Sequence, residues 1–329
     1  MPIEKTTALA NSNIAFIKYW GNRDAAYRVP LNDNVSMNLD HAFTTTTVEF
    51  DANLNADQIV VGGADANEAT RQRVSAHLDR VRALAKIETK ARAQSENNFP
   101  TGTGIASSAS AFAALSVAAT HAAGLALSER ALSILARQGS GSASRSIPGG
   151  FVEWIAGHSS DDSYAVSIAP PEHWDLRDVV VIVSTEEKKI GSSEGHAAAP
   201  TSHFLAERIQ ALPARFHRVR HAVLAKNLSL LGPAIEEDAI ELHMMAMTSV
   251  PPIYYWSPAM VQVIQAVQQW RADGLAVYFT LDAGPNVHLI CEGTDAAQVE
   301  SLARAIVGVQ QIIVNVPGGA AHLIDQHLF

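Results

Sequence analysis

Phe99-Pro100-Thr101-Gly102-Thr103-Gly104-Ile105-Ala106-Ser107-Ser108-Ala109-Ser110, running on into the small-residue stretch Ala111 to Leu115, is the segment on which the reading of this chain turns. Two glycines let the backbone come close to an anion, and a hydroxyl-rich helix start offers free N–H groups at the positive end of the helix dipole. Polyphosphate is the natural ligand of such a loop. It is not the Walker pattern, because no Gly-Lys-Ser/Thr follows, and not the dinucleotide fingerprint, because the third glycine is missing. Taken alone, Pro-Thr-Gly-Thr-Gly is also ordinary turn chemistry, with Ser107 simply capping the helix.

The rest of the composition narrows the class. A chain of 329 residues with 47% hydrophobic content is long enough for one large or two ordinary domains with a real core. A net charge of −9 argues against a nucleic-acid or anionic-membrane surface while leaving room for a local basic pocket, so the expected partners are small molecules. The single cysteine, Cys291, has no partner for an internal disulfide, and Met1 to Asn11 lacks the apolar core of a signal peptide. The expected compartment is the cytoplasm. Ile105 to Leu127 is alanine-rich but interrupted by Ser107, Ser108, Ser110, Ser116, Thr120 and His121 and closed by Gly124. It reads as a closely packed buried helix and not as a membrane span.

Along the chain, Ile14 to Tyr19 is a short apolar run carrying Lys18 at a strand's end, followed by the polar turn Gly21-Asn22-Arg23-Asp24. Taken by itself, Lys18 reads as a lysine snorkelling from a strand edge. Pro30 to Leu39 leads into the β-branched strand Phe43 to Phe50, and Ala66 to Ile87 has helical spacing. Ser128 to Arg137 reads as a capped helix delivering Gly139-Ser140-Gly141-Ser142 beside Arg145, a combination of backbone donors, hydroxyls and guanidinium suited to phosphate and carboxylate. Pro170-Pro171 marks a domain edge before the buried-strand run Val179 to Ser184, and the expected boundary lies near Ser184, dividing the chain into 1–183 and 184–329. In the second half, Ser202 to Lys226, Ile235 to Met247 and Pro258 to Trp270 have helical periodicity, and Ala276 to Leu281 and Gln311 to Val316 read as strands. Met244, Met245 and Met247 read as core or pocket lining, and the thirteen histidines show no paired spacing that would bind a transition metal.

Three words of this sequence resemble one family. Pro100-x-x-x-Gly104-Ile105-Ala106-Ser107-Ser108-Ala109 resembles the ATP loop of the galactokinase, homoserine kinase, mevalonate kinase and phosphomevalonate kinase (GHMP) superfamily. Asn13-Ile14-Ala15-Phe16-Ile17-Lys18-Tyr19-Trp20-Gly21 and Gly139 to Ser146 with Gly149-Gly150-Phe151 resemble the mevalonate diphosphate decarboxylase branch. With Asp282-Ala283-Gly284-Pro285-Asn286, the resemblance covers nearly the whole chain in the right order. It implies an α+β GHMP fold, with an N-terminal ribosomal-protein-S5-like domain that binds ATP and a C-terminal ferredoxin-like helix-and-sheet domain. It also implies a homodimer.

The implied reaction is phosphorylation of a tertiary alcohol by ATP, followed by loss of that phosphate and of the adjacent carboxylate as CO₂, with Mg²⁺ accompanying the nucleotide. In that resemblance Asp282 is the catalytic base, Lys18 keeps it ionised, and Arg145 holds the substrate carboxylate through its planar fork. Pro100, Thr101, Gly102, Gly104, Ala106, Ser107 and Ser108 form the ATP site, with Ser108 near the metal. Asn13, Tyr19, Asn22, Ser140, Ser142, Ser192 and His196 join Arg145 on the substrate. Read singly, Asp282 is a turn aspartate, Ser108 a cap and Arg145 a surface ion pair; their joint occurrence in family words decides against that.

The departures bear on the substrate. Asn22 stands where family members acting on the diphosphate carry a second lysine, and Ser193 and His196 stand where bacterial relatives commonly show arginine and methionine. Two lost cations suit mevalonate 5-phosphate, with the 5-diphosphate as the alternative, unless Arg23, Lys188, Lys189 or a protonated His196 restores the charge. A kinase that stops at phosphorylation would differ by releasing no CO₂, and a nucleotide-binding regulator without catalysis would not turn over ATP.

Overall fold

The computed structural model describes residues 4–99, 107–186 and 190–329. Two sheets organise it. The first has eight strands, built on Thr6–Ala15 paired antiparallel with the long strand Asn34–Phe50. Ala91–Asn97 joins on the far side and Gln58–Val61 extends it in parallel, while Phe151–Ile155 and Tyr164–Ala169 branch from the beginning of the long strand. The β-branched run of the long strand is tied by hydroxyl contacts to its neighbours. Thr46 meets Ser95 at 2.7 Å and Thr7 meets Thr47 at 2.7 Å.

The alanine-rich segment forms the helix Ser107–Ala122, buried along nearly its whole length as expected. Its small side chains let it lie close over Ala8, Ala10 and Val48. Thr44 Oγ1 reaches Ser110 Oγ at 2.6 Å, which pins the helix start to the sheet. Gly124 ends it at φ +71, a left-handed value that favours glycine. Glu68–Ala85, capped by Asn67, and Glu129–Gly139, capped by Ser128, flank this helix.

The second sheet is antiparallel, in the order Val277–Leu281, Val287–Glu292, Leu176–Ile182, Gln311–Asn315. Pro258–Ala272 and Ala296–Arg304 cover one face, with Val179, Val181, Phe279 and Leu289 in the core between. Leu205–Leu224 and Leu228–Met247 cover the other face, where Val180 and Ile290 share one core with Ile14, Phe16 and Val35 from the first unit.

Two features depart from the expected division at Ser184. Leu176–Ile182 lies before that point yet pairs only with strands of the second sheet, so Pro170-Pro171 sits nearer the break between sheets. His322–Ile324 crosses back and pairs with Thr6–Ala15 in the first sheet. Met245 is buried as expected, whereas Met244 is 41% exposed on the outer side of its helix.

Candidate active site

Lys18 falls just beyond the end of the strand Thr6–Ala15, where the chain turns under the two helices of the second unit. Its side chain is 1% exposed, and Nζ donates to Asp282 Oδ1 and to the Ala15 carbonyl, each at 2.7 Å. Its backbone is held as firmly. The Lys18 N–H donates to Asp238 Oδ2 at 2.6 Å, and Asp238, fully buried, is itself braced by Arg208 and Arg215 at 3.1 and 3.0 Å. Burial pulls the Lys18 pKa down against the pull of Asp282.

Asp282 stands at the turn after Val277–Leu281. The Gly284 N–H donates to its carbonyl at 2.7 Å, and Asn286 Oδ1 accepts from Val183 and Ser184 N–H, fixing the turn to the neighbouring strand end. Burial alone would raise its carboxyl, but Lys18, then His288 and Arg145, outweigh that and hold it below the usual carboxylate range. The group is therefore an ionised base whose side chain keeps one-fifth of its surface exposed.

Arg145 comes from the short 3₁₀ turn Gly141–Ser146. Nε and Nη2 donate to Asn13 Oδ1 at 3.0 and 2.9 Å, Nη1 donates to Asn34 Oδ1 at 3.1 Å, and the guanidinium lies 5.7 Å from the Trp154 ring centre. These partners are neutral. Burial lowers its pKa to about 10, with Asp282 and Tyr19 opposing, which still leaves it charged at neutral pH, and among the described residues no carboxylate lies at hydrogen-bond distance from it. A buried cation oriented by amides is a receptor for a carboxylate brought by a ligand.

Lys18, Arg145 and Asp282 share one cleft of about 1110 Å³, to which Tyr19, Asn22, Ser107, Ser108, Ser140, Ser142, Ser192 and His196 also contribute. Ser108 Oγ meets Ser140 Oγ at 3.0 Å, joining the helix start to the Gly-Ser turn. Tyr19 hydrogen-bonds Asn22, stacks on His196 at 3.9 Å, and lies so close to Gly141 that a Cβ there would fall 2.4 Å from its ring. The Gly21 N–H donates to His196 Nδ1 at 3.0 Å. Asn13, in contrast, is 1% exposed and stands behind Arg145 as its orienting partner, outside the cleft wall. Pro100, Thr101, Gly102, Gly104 and Ala106 lie outside the described residues, as do Lys188 and Lys189.

Sequence reasoning gave no role to Asp238, Asn34, Arg28 or Arg73. Arg28 and Arg73 also line the cleft. Arg23 does not: its guanidinium donates to the Gly157 carbonyl at 2.6 Å and lines a separate cavity of about 650 Å³ with His158 and Phe216. Asn34 lies in the segment Pro30 to Leu39 and Asp238 in the acidic run Glu236-Glu237-Asp238, and neither carries a pattern that distinguishes a buried partner from a surface residue.

Comparison with known proteins agrees with this geometry. Residues 10–165 match the diphosphomevalonate decarboxylase-like N-terminal domain, and residues 178–321 match the mevalonate 5-diphosphate decarboxylase C-terminal domain. The chain belongs to the diphosphomevalonate decarboxylase family. It is 36% identical over 308 residues to the diphosphomevalonate decarboxylase of Bos taurus, covering 87% of this chain and 76% of that one. It is 32% identical over 323 residues to the phosphomevalonate decarboxylase of Haloferax volcanii, covering 98% of each. Among solved structures, MDDEF in complex with MVAPP, AMPPCP and magnesium matches with a TM-score of 0.92 and 36% identity, over 98% of this chain and 99% of that one. The mevalonate diphosphate decarboxylase of Enterococcus faecalis, in a structure concerned with mevalonate-diphosphate-mediated ATP binding, matches with a TM-score of 0.91, the same identity and the same coverage. Family membership makes this chain an ATP-dependent decarboxylase. Among the described residues no helix is long and apolar enough to cross a membrane.

Proposed function

We propose that this chain decarboxylates mevalonate 5-phosphate at the expense of ATP, giving isopentenyl phosphate. The observation that carries the reading is the buried Arg145 guanidinium, oriented by neutral amides, sharing one cleft with the Lys18–Asp282 pair. Arg145 receives the substrate carboxylate. Asp282, ionised and fixed by its turn, takes the proton of the C3 hydroxyl as that oxygen accepts the γ-phosphoryl group. Lys18 cannot accept that proton; it holds Asp282 in place and offsets phosphate charge. Loss of the new phosphate together with the carboxylate then gives CO₂ and the alkene.

The triphosphate would lie against Ser107 and Ser108 at the start of the helix Ser107–Ala122, with the loop preceding it. Among the described residues no three His, Cys, Asp or Glu side chains gather to hold a metal. Magnesium needs no such cage, because phosphate oxygens and water supply most of its shell, and the Ser108 hydroxyl is a fitting oxygen donor. Bound there, it would neutralise charge on the phosphates.

For the length of the phosphate chain, the support comes from Asn22, Arg23 and His196. Asn22 is hydrogen-bonded to Tyr19, Arg23 is turned to the separate cavity, and His196 Nδ1 already accepts from the Gly21 N–H. Each charge-assisted hydrogen bond missing from a terminal phosphate costs about 1.5–3 kcal/mol, so two missing cations correspond to roughly two or more orders of magnitude in selectivity. One observation favours the 5-diphosphate instead, namely that Arg28 and Arg73 also line the cleft. The test is kcat/KM for the two substrates with CO₂ release as the readout. A monophosphate preference, partly reversed by Asn22→Lys with Ser193→Arg, is expected; a clear diphosphate preference overturns the assignment. ADP formed without CO₂ from either substrate would identify a kinase.

A further inference from the structure

Outside the cleft, buried polar groups that the proposed reaction leaves unused gather on one face of the second sheet. Thr280 stands opposite His288, His288 stands opposite Val180, and Asp178 stands opposite Asn315. Because side chains alternate along a strand, Thr280, His288, Asp178 and Asn315 form a continuous polar row across all four strands. The row crosses a face whose other members, Val180 and Ile290, belong to the apolar core. None of its residues is more than 1% exposed. Asp282 lies two residues beyond Thr280, diagonal to His288 and within its electrostatic reach.

His288 Nδ1 and Asp178 Oδ2 are 2.7 Å apart. A carboxylate only accepts, so Nδ1 carries the hydrogen and Nε2 is the atom that gains or loses a proton. Thr280 Oγ1, His288 Nε2, Asp178 Oδ1 and Asn315 Oδ1 have no hydrogen-bond partner among the described residues. Polar atoms left this way in an apolar core are costly, and neighbouring ones are ordinarily bridged by enclosed water. His243 is also buried beside Lys18 and Asp282, but burial and then the Lys18 ammonium outweigh Asp282 and push it down to about 3, and neither ring nitrogen has a side-chain hydrogen-bond partner among the described residues.

We propose that this row is the proton outlet of Asp282, an inference that rests on Asp282 being the base in the reaction above. Phosphoryl transfer breaks the substrate O–H bond and leaves the proton on the Asp282 carboxylate. Asp282 passes it, through water held between Thr280 Oγ1 and His288 Nε2, to the Nε2 lone pair. The carboxylate is restored and an imidazolium forms, paired with Asp178. After the products leave, the proton returns by the same water to Asp282 and its exposed edge, and thence to solvent. The purpose is timing. Substrates bound in the cleft would cover the exposed fifth of Asp282, while the second step makes C3 electron-deficient and an ionised carboxylate nearby favours it. Thr280 and Asp178 are positioning residues for this transfer.

Rapid-quench measurement of ADP and CO₂ in the first turnover tests the proposal, using Thr280→Val, which is isosteric, and His288→Gln. Both variants are expected to form ADP at the wild-type rate and to release CO₂ about tenfold more slowly, with KM for both substrates unchanged. Equal slowing of ADP and CO₂, the mark of a merely structural role, overturns the proposal, and so does wild-type CO₂ release in Thr280→Val. If His288→Gln does not fold, Thr280→Val carries the test alone. Failure of the underlying reading would show elsewhere, as near-normal turnover in Asp282→Asn.

Discussion

Asp282 and Lys18 illustrate how two unfavourable burials combine into one ion pair. Each loses hydration, and each is retained in its charged form largely because the other is 2.7 Å away. Replacing Lys18 by Met leaves burial to dominate, so the Asp282 pKa rises and the acid limb of the kcat profile moves to higher pH; the pH dependence of single-turnover ADP formation checks this. Asp282→Asn keeps the volume and removes the charge, so turnover should fall by about 100-fold or more while ATP still binds, as calorimetry would show. Arg145→Lys keeps the charge but loses the fork held by Asn13 and Asn34, and substrate KM should rise about tenfold with KM for ATP unchanged. At this scale the charged trio was legible in the sequence because each member sits inside a short local word. Asn13 was placed on the substrate and turns out to stand behind Arg145, because which side of a guanidinium an amide occupies depends on residues far along the chain.

Between the residue and the molecule, elements fix these groups by close approach. Gly141 admits the Tyr19 ring where any Cβ would intrude, so Gly141→Ala should push Tyr19 and the stacked His196 into the cleft. A loss of about 1–3 kcal/mol in urea unfolding with a higher substrate KM is the expected outcome. Asp238, on Leu228–Met247, is wedged between two arginines from Leu205–Leu224 that Glu237 and Glu241 also hold, so Asp238→Leu should cost about 1–3 kcal/mol, chiefly by leaving the buried Lys18 N–H without its acceptor. The periodicity of these helices was legible, but the second was expected only over Ile235 to Met247. It begins at Leu228, and the one hydrogen bond that Pro233 removes is outweighed by burial of Leu231, Ala234 and Ile235. Strand membership was less legible. Leu176–Ile182 has the same apolar character in either sheet, and only long-range pairing assigns it to the second.

The molecule as a whole is less divisible than its two sheets suggest. Ile14, Phe16 and Val35 from one unit and Val180 and Ile290 from the other lie in a single core, so urea unfolding followed by fluorescence and by circular dichroism should give one coincident transition. The return of His322–Ile324 to Thr6–Ala15 has a consequence for synthesis. A nascent chain exposes the strand Thr6–Ala15 early, yet the strand that covers its free edge emerges only after both helical layers of the second unit. At roughly 5–20 residues per second the interval is on the order of tens of seconds. Throughout it the ribosome-bound chain presents an open row of backbone donors and acceptors, the surface on which growing chains aggregate or recruit chaperones. Translation that stalls before residue 322 therefore releases a product with an uncovered edge, even though every residue of the catalytic cleft has already been made.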